Sequence, residues 1–257
     1  MERIKSGIIG LDKHIGGGFE KGSLIEIAGS EGTFKSTFAL HFAVQGIKNN
    51  EKVTYISLEE PKESFAKTAK DLGVEKEFEK IDFRNIDIKN VIQQAKFSNS
   101  SSVGAEEIAQ KIMKMVDNPN RLIFDTATTL ALYSSRTQVK LKGDKNWDFV
   151  KPSAGDIRVM LYYLANELRK KNDCTSLLLA ETGNGELYLP EKVLKYISDA
   201  KVELKKSSLG TRTPRSLQIL KMRHTNHSLD EQPISLTKKG LKVESIEEWM
   251  IKNVWFN

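Results

Sequence analysis

Short apolar runs alternate along the chain with stretches of helical periodicity. Leu24-Ile25-Glu26-Ile27-Ala28 reads as a short buried strand, entered through Gly16-Gly17-Gly18 and Lys21-Gly22. From residue 36 to 47, Phe38, Leu40, Phe42, Ala43 and Ile47 recur at helical spacing. Residues 53–58 are β-rich and too short for a helix. Pro61 opens a helical stretch that runs to Leu72 and is closed by Gly73. A strand is predicted at 81–83, a helix from Gly104 through Val116, and, after Pro119, a strand at 122–124 that ends on Asp125. A helix over about 154–171 and a strand at 176–180 continue the series.

Strands and helices that alternate over short connections predict an α/β fold, with a mainly parallel twisted sheet covered by helices on both faces. After Ala200 the rhythm changes. Runs at 202–205, 216–222, 233–236 and 241–243 follow one another too closely for intervening helices and predict an antiparallel C-terminal extension, with a terminal helix near 246–252. Two segments fit neither pattern: 126–153 is polar and basic, and 182–190 is rich in Gly and Asn. Both read as exposed loops, the kind of segment that often carries function.

At 257 residues and 39% hydrophobic composition the chain can bury a core and is not a disordered polymer. No apolar run approaches the roughly 20 residues of a membrane-spanning helix. The opening Met1-Glu2-Arg3-Ile4-Lys5-Ser6 lacks an apolar signal segment. The lone Cys174 excludes an intrachain disulfide framework and reads as a small buried or half-buried residue. The expectation is a soluble, cytoplasmic protein with no membrane partner. The net charge of +6 is uneven, −1 over residues 1–125 and +7 over 126–257, so the basicity belongs to the second half.

Candidate chemistry begins at Gly29-Ser30-Glu31-Gly32-Thr33-Phe34-Lys35-Ser36, between the first strand and its helix. Strand, glycine-bearing turn and Lys-Ser at a helix start is the layout of a phosphate-binding loop. Backbone N–H groups face the anion, lysine adds positive charge and a hydroxyl can ligate magnesium. The usual spacing is G-x-x-x-x-G-K-[ST], and Phe34 stands where its second glycine belongs. On the loop alone, a phosphate site and an ordinary strand–turn–helix with an exposed lysine both remain open.

Glu59 and Glu60 follow the strand at 53–58, and Asp125 ends another. In a parallel sheet ligands bind at the carboxyl ends of strands, so these carboxylates and the loop would face one crevice. One glutamate would orient a water for attack on a γ-phosphate while Asp125 helps to hold magnesium. The alternatives are an acidic start to the helix after Pro61, favoured by its dipole, and a turn or capping role for Asp125.

The ordered set of motifs resembles the RecA-like P-loop ATPases of the KaiC branch, archaeal RadA paralogues included, over nearly the whole length. The matching stretches are Ser6-Gly7-Ile8-Ile9-Gly10-Leu11-Asp12 with Gly16-Gly17-Gly18, Lys21-Gly22-Ser23, the loop ending Lys35-Ser36-Thr37, the segment from Tyr55 to Glu60 and the strand ending at Asp125. Ser198-Asp199-Ala200 and Lys221-Met222-Arg223-His224-Thr225-Asn226-His227 follow in the same order. The resemblance implies one domain over 1–257, with a leader at 1–22, a nucleotide-binding core at 23–200 and antiparallel strands with a terminal helix at 201–257.

It also implies ATP and magnesium as cofactors. Gly29, Gly32, Thr33, Phe34, Lys35, Ser36 and Thr37 would form the phosphate site, with Ser36 and Asp125 at the magnesium. Glu59 or Glu60 would polarise the attacking water, Asp125 would be the Walker B carboxylate and Glu181 would sense the γ-phosphate. Lys221 and Arg223 would reach the nucleotide of a neighbouring subunit in a ring or filament; alternation along a strand puts both on one face and Met222 on the other.

The departure at Phe34 leaves the fold intact and bears on hydrolysis. Either the ring turns into the core and the loop still binds through Gly29, Gly32 and Lys35, or the ring fills the cradle of a non-hydrolysing relative. The expectation is weakened ATP binding with slow or absent turnover. The alternative is a catalytically inactive regulatory module that binds proteins.

The resemblance further implies a homo-oligomer, with a recombinase or regulatory protein as an additional partner. Because the ATPase core begins near residue 4, with no DNA-binding domain before it, a recombination or repair accessory is expected rather than a principal recombinase. Single- or double-stranded DNA is a candidate partner. Residues 195–223 carry a net +6, and 136–151 add +3 with Trp147 and Phe149 interleaved, which would suit single strands. A solvated lysine-rich surface is the plainer reading. No Cys and few carboxylates stand near His224 and His227 in sequence, and they read as substrate-contact or structural residues.

Overall fold

Strands that are apolar on both faces require cover on both, and the chain supplies it by crossing the sheet repeatedly. The computed structural model describes residues 2–91, 105–132, 154–171, 173–183, 189–208 and 212–251. Strands β1 (Arg3–Ile4) and β2 (Phe19–Glu20) pair antiparallel around a 3-10 turn at Asp12–Ile15. The main elements then run β3 (Leu24–Gly29), α1 (Lys35–Lys48), β4 (Val53–Ser57), α2 (Lys62–Asp71), α3 (Glu75–Phe78), β5 (Asp82–Asn85), α4 (Ala105–Lys114) and β6 (Arg121–Asp125). There follow α5 (Ala127–Leu132), α6 (Ala154–Arg169), β7 (Thr175–Glu181), α7 (Leu189–Ile197), β8 (Ala200–Lys206), β9 (Arg215–Met222), β10 (Gln232–Thr237), β11 (Gly240–Val243) and α8 (Ile246–Met250).

The described strands β3 to β11 form one sheet in the order β11-β10-β9-β8-β3-β7-β6-β4-β5. From β8 to β5 every neighbour is parallel; β9, β10 and β11 add antiparallel strands at one edge. The α/β class with a mainly parallel sheet, helices on both faces and an antiparallel extension is therefore the observed fold. Side chains alternate across it. Leu177 and Leu179 join the core under α1 and α2, whereas Leu178 and Ala180 join the core under α4, α6 and α7.

Several boundaries depart from the sequence-based expectations. The antiparallel series starts one strand later than expected, because β8 pairs parallel with β3. Residues 127–132, expected to open an exposed loop, form α5, with Ala127, Leu130 and Ala131 buried. Leu189 and Pro190, expected in another loop, begin α7, which buries Pro190, Val193, Leu194 and Ile197 along one stripe. The remainder of both expected loops, 133–153 with Trp147 and Phe149 and 184–188, lies outside the described residues. Cys174 is buried, and burial raises its thiol pKa to about 11.

A buried charged cluster sits between β3, β8 and α7. Lys201 Nζ lies 3.3 Å from Glu26 Oε1 and also contacts Glu191, and neither Glu26 oxygen has a hydrogen-bond partner among the described residues. Burial outweighs the lysine and raises the Glu26 pKa from 4.5 to about 7. The folded chain thus keeps a proton that the unfolded chain releases between pH 4.5 and 7, so this group weakens the fold progressively as the pH rises through that window, and no further above it. Glu26→Gln removes the dependence. In urea unfolding the variant should gain on wild type by about 3 kcal/mol across the window, each pKa unit being worth about 1.4 kcal/mol. A difference that does not change with pH would contradict this.

Candidate functional site

The loop after β3 is shaped by close approach. A Cβ on Gly29 would meet Thr33 Oγ1 at 2.5 Å and the Leu204 carbonyl oxygen at 2.7 Å, so only glycine fits there. Thr33 Oγ1 donates to the Ser30 carbonyl at 2.7 Å and folds the turn back on itself. Gly32 has φ +74, with open space where a side chain would start. Phe34 is also left-handed, φ 76 and ψ 24, and caps α1 without a side-chain hydrogen bond. That conformation disfavours a bulky residue by roughly 1–2 kcal/mol. The Phe34 ring packs against the core, and the Arg215 guanidinium lies 4.3 Å from its centroid.

The predicted polar groups gather beside this turn. Lys35, Ser36, Thr37, Glu59, Glu60, Asp125 and Glu181 line one cavity of about 600 Å³, with Phe34 and Arg215 in its wall. Lys35 is buried; its Nζ donates to the Ser30 carbonyl at 3.0 Å and lies 2.6 Å from Glu181 Oε1. Asp125 is held by Tyr55, whose hydroxyl donates to Oδ2 at 2.6 Å, and by the Ser36 hydroxyl. Burial pushes the Asp125 pKa up to about 6, and the Glu59 charge adds to it; the Tyr55 and Ser36 hydroxyls and Lys35 oppose the rise. The same burial, together with Asp125, holds the Tyr55 phenol well above its ordinary range.

The two glutamates are not equivalent. Glu59 Oε1 accepts from Thr126 Oγ1 at 3.1 Å and from Thr129 Oγ1, so its carboxylate is oriented beside the end of β6. At Glu60 it is the backbone that is held: its N–H donates to Ser57 Oγ, and its carbonyl accepts from Ser57 Oγ and Asn85 Nδ2.

Lys221 and Arg223 stand apart from this cluster. Met222 pairs with Ala200 at the start of β8, whereas Leu204, near its end, pairs with Gly29, so the two basic residues lie at the opposite end of the sheet. Lys221 Nζ donates to the carbonyls of Lys195 at 3.0 Å and Ser198 at 2.5 Å, where the C-terminal dipole of α7 favours a cation. Burial and the neighbouring Arg223 lower its pKa. Arg223 Nη1 lies 3.5 Å from Asp199 Oδ1.

Sequence reasoning overlooked three groups at the site. Tyr55 is legible as a strand residue opening a matching segment, with no role of its own, Thr128 accepts from the Glu181 N–H at 2.9 Å, and Arg215 counts only as part of a basic stretch. Nothing local in the sequence marks Arg215, because its contacts are tertiary.

The donor set fits a nucleotide with magnesium. Gly29 and Gly32 carry no side chain at two points of the turn, Lys35 supplies the cation, and Ser36 already contacts Asp125. Magnesium keeps several waters and takes one or two carboxylates plus phosphate oxygens, so a hydroxyl and one carboxylate suffice on the protein side. Among the described residues no group of three or more His, Cys, Asp or Glu could hold a metal alone, His224 and His227 included.

A glycine-bearing loop at the carboxyl end of a central parallel strand, opening into a lysine-led helix, is the layout of a P-loop nucleotide-binding protein. Comparison with known proteins makes the assignment particular. The family model described as "ATPase: KaiC" matches residues 4–142 and 149–248. The chain belongs to the KaiC-like ATPase family.

Its relatives include UPF0273 proteins of Methanocaldococcus jannaschii, 24% identical with 95% of this chain and 96% of the relative covered, and of Thermotoga maritima, 25% identical with 95% and 96% covered. Among solved structures it is similar to a KaiC-like protein from Pyrococcus horikoshii OT3. There the TM-score is 0.68 and the identity 24%, with 95% of this chain and 99% of the other covered. Among the described residues no helix is long and apolar enough to cross a membrane.

Proposed function

We propose that this chain binds ATP with magnesium in the cavity between β3, β4 and β6, turns it over slowly, and assembles with copies of itself into a ring or filament. The observation that carries this reading is the convergence of Lys35, Ser36, Asp125, Glu59 and Glu181 on one cavity while the Phe34 ring is engaged with the core and Arg215. Bound ATP supplies the phosphoanhydride to be hydrolysed. Lys35 and the backbone N–H groups of the loop bind its phosphates, Ser36 and Asp125 hold the metal, and Glu59, oriented by Thr126 and Thr129, accepts the proton of an attacking water.

Assembly enters through Arg223, half exposed at the far end of the sheet from its own loop, where a phosphate within its reach would belong to another copy; Lys221 beside it holds the end of α7 and reaches such a phosphate only on leaving those carbonyls. DNA stays outside the proposal, because the described basic side chains of 195–223 largely bond within the chain. Lys201 is buried, Lys205 meets Glu231, Lys206 and Arg215 bond the phosphate loop, and Lys221 bonds α7.

Phe34→Gly tests the reading. Taking the ring out of the cavity wall should raise ATP turnover by about tenfold, a barrier change of about 1.4 kcal/mol, while the relieved backbone strain goes into fold stability. Phosphate release by wild type and variant, measured with magnesium present, makes the comparison; equal turnover would sink the idea that Phe34 limits this site.

A further inference from the structure

The end of the β8–β9 ladder is aimed at the phosphate loop. Lys206 and Arg215 are cross-strand partners there. Lys206 Nζ donates to the Glu31 carbonyl at 2.9 Å and Arg215 Nε to the Gly32 carbonyl at 2.8 Å, so two adjacent strands grip consecutive peptide units. Arg215 does more, since its guanidinium also lies 4.3 Å from the Phe34 ring centroid. One planar group engages both the residue in the glycine position and the carbonyl two residues before it.

Phe34 needs such help. It is left-handed at φ 76, where a glycine would rest without penalty, and its side chain makes no capping hydrogen bond. The residue immediately before Lys35 also sets which way the loop N–H groups face, and therefore how well the turn receives an anion.

We propose that Arg215 is a positioning residue for the phosphate loop. By clasping the Phe34 ring and the Gly32 carbonyl it holds the left-handed turn that glycine would adopt unaided, so that Phe34 and Arg215 act as a matched pair. The consequence for affinity rests on the nucleotide reading above; the clasp itself does not. Lysine cannot replace Arg215, because the clasp uses the planar face and the Nε donor together.

A double-mutant cycle decides. MgATP affinity is measured by calorimetry for wild type, Arg215→Ala, Phe34→Gly and the double variant. Arg215→Ala should weaken binding by about tenfold with Phe34 present and by less than about threefold in the Phe34→Gly background, the coupling expected of contacting residues. Arg215→Lys should lose as much as Arg215→Ala. Equal losses in both backgrounds overturn the proposal, because an arginine that touches nucleotide or only braces β9 acts whatever residue stands at position 34.

The same four proteins are unfolded thermally without nucleotide, where Arg215→Ala should lower the midpoint more in wild type than in the Phe34→Gly background. Additive shifts would also overturn the proposal. If none of the four binds MgATP, the nucleotide reading fails by itself and the unfolding cycle still decides the clasp.

Discussion

Lys35→Ala lowers MgATP affinity on the order of 100-fold, with little change in folding. Lys35 is the cation built into the loop, with a side chain only 8% exposed. Truncating one partner of a buried charged contact costs about 2–5 kcal/mol, because the remaining charge loses its compensation. In the bound state that remaining charge is phosphate, so the loss falls on binding. Without nucleotide the orphan is Glu181, 30% exposed and able to turn to water, so the fold is spared most of the penalty. Calorimetric titration alongside a thermal melt separates the two effects. Unchanged affinity would show that the lysine serves only its ion pair.

Arg121→Met destabilises the fold by about 3–5 kcal/mol, the range for breaking a buried ion pair by removing one partner. Arg121 is the largest fully buried side chain among the described residues, with no exposure at all. It pairs with Glu51, donates to the carbonyls of Lys5 at 2.8 Å and Phe42 at 3.0 Å, and lies over the Phe42 ring at 4.5 Å. One guanidinium thus ties the leader segment, α1 and the start of β4 to β6. Methionine fills much of the volume but leaves the Glu51 carboxylate and the Lys5 carbonyl without their arginine donor, while the Phe42 carbonyl keeps its helical partner. Urea unfolding should register the loss in the midpoint rather than the slope; a loss under about 1 kcal/mol would contradict the role given to this residue.

What the sequence made legible was local. Apolar runs bounded by Gly73 or Pro119 read as strands and helices because periodicity and punctuation coincide there. The Gly29–Ser36 turn was visible because its spacing is contained within eight residues. Helix α7 carries a legible stripe in Val193, Leu194 and Ile197, to which no element is assigned from sequence, and the expected loop at 182–190 takes in only its first two residues. Strands β1 and β2 have two residues each, too few for any period to show.

The remaining misses are tertiary. Lys201 counts as surface charge until the sheet places it beside Glu26, and Arg121, just before the expected strand at 122–124, carries no signal in the sequence. Lys206 and Arg215 contributed to a basic excess that pointed outward to a polyanion; in the fold they turn inward to the phosphate loop. Charge counted along a chain gives the sign of a region, while only the fold decides whether that charge faces solvent, a ligand or its own backbone.

Titration of the wild-type chain with MgATP, followed by the mass of the complexes formed, bears on binding and assembly together. The expected result is one nucleotide bound per chain, dependent on Lys35, within an assembly of several chains. A mass that stays that of the nucleotide-free chain at saturating MgATP would contradict the reading of this cavity as a working nucleotide site.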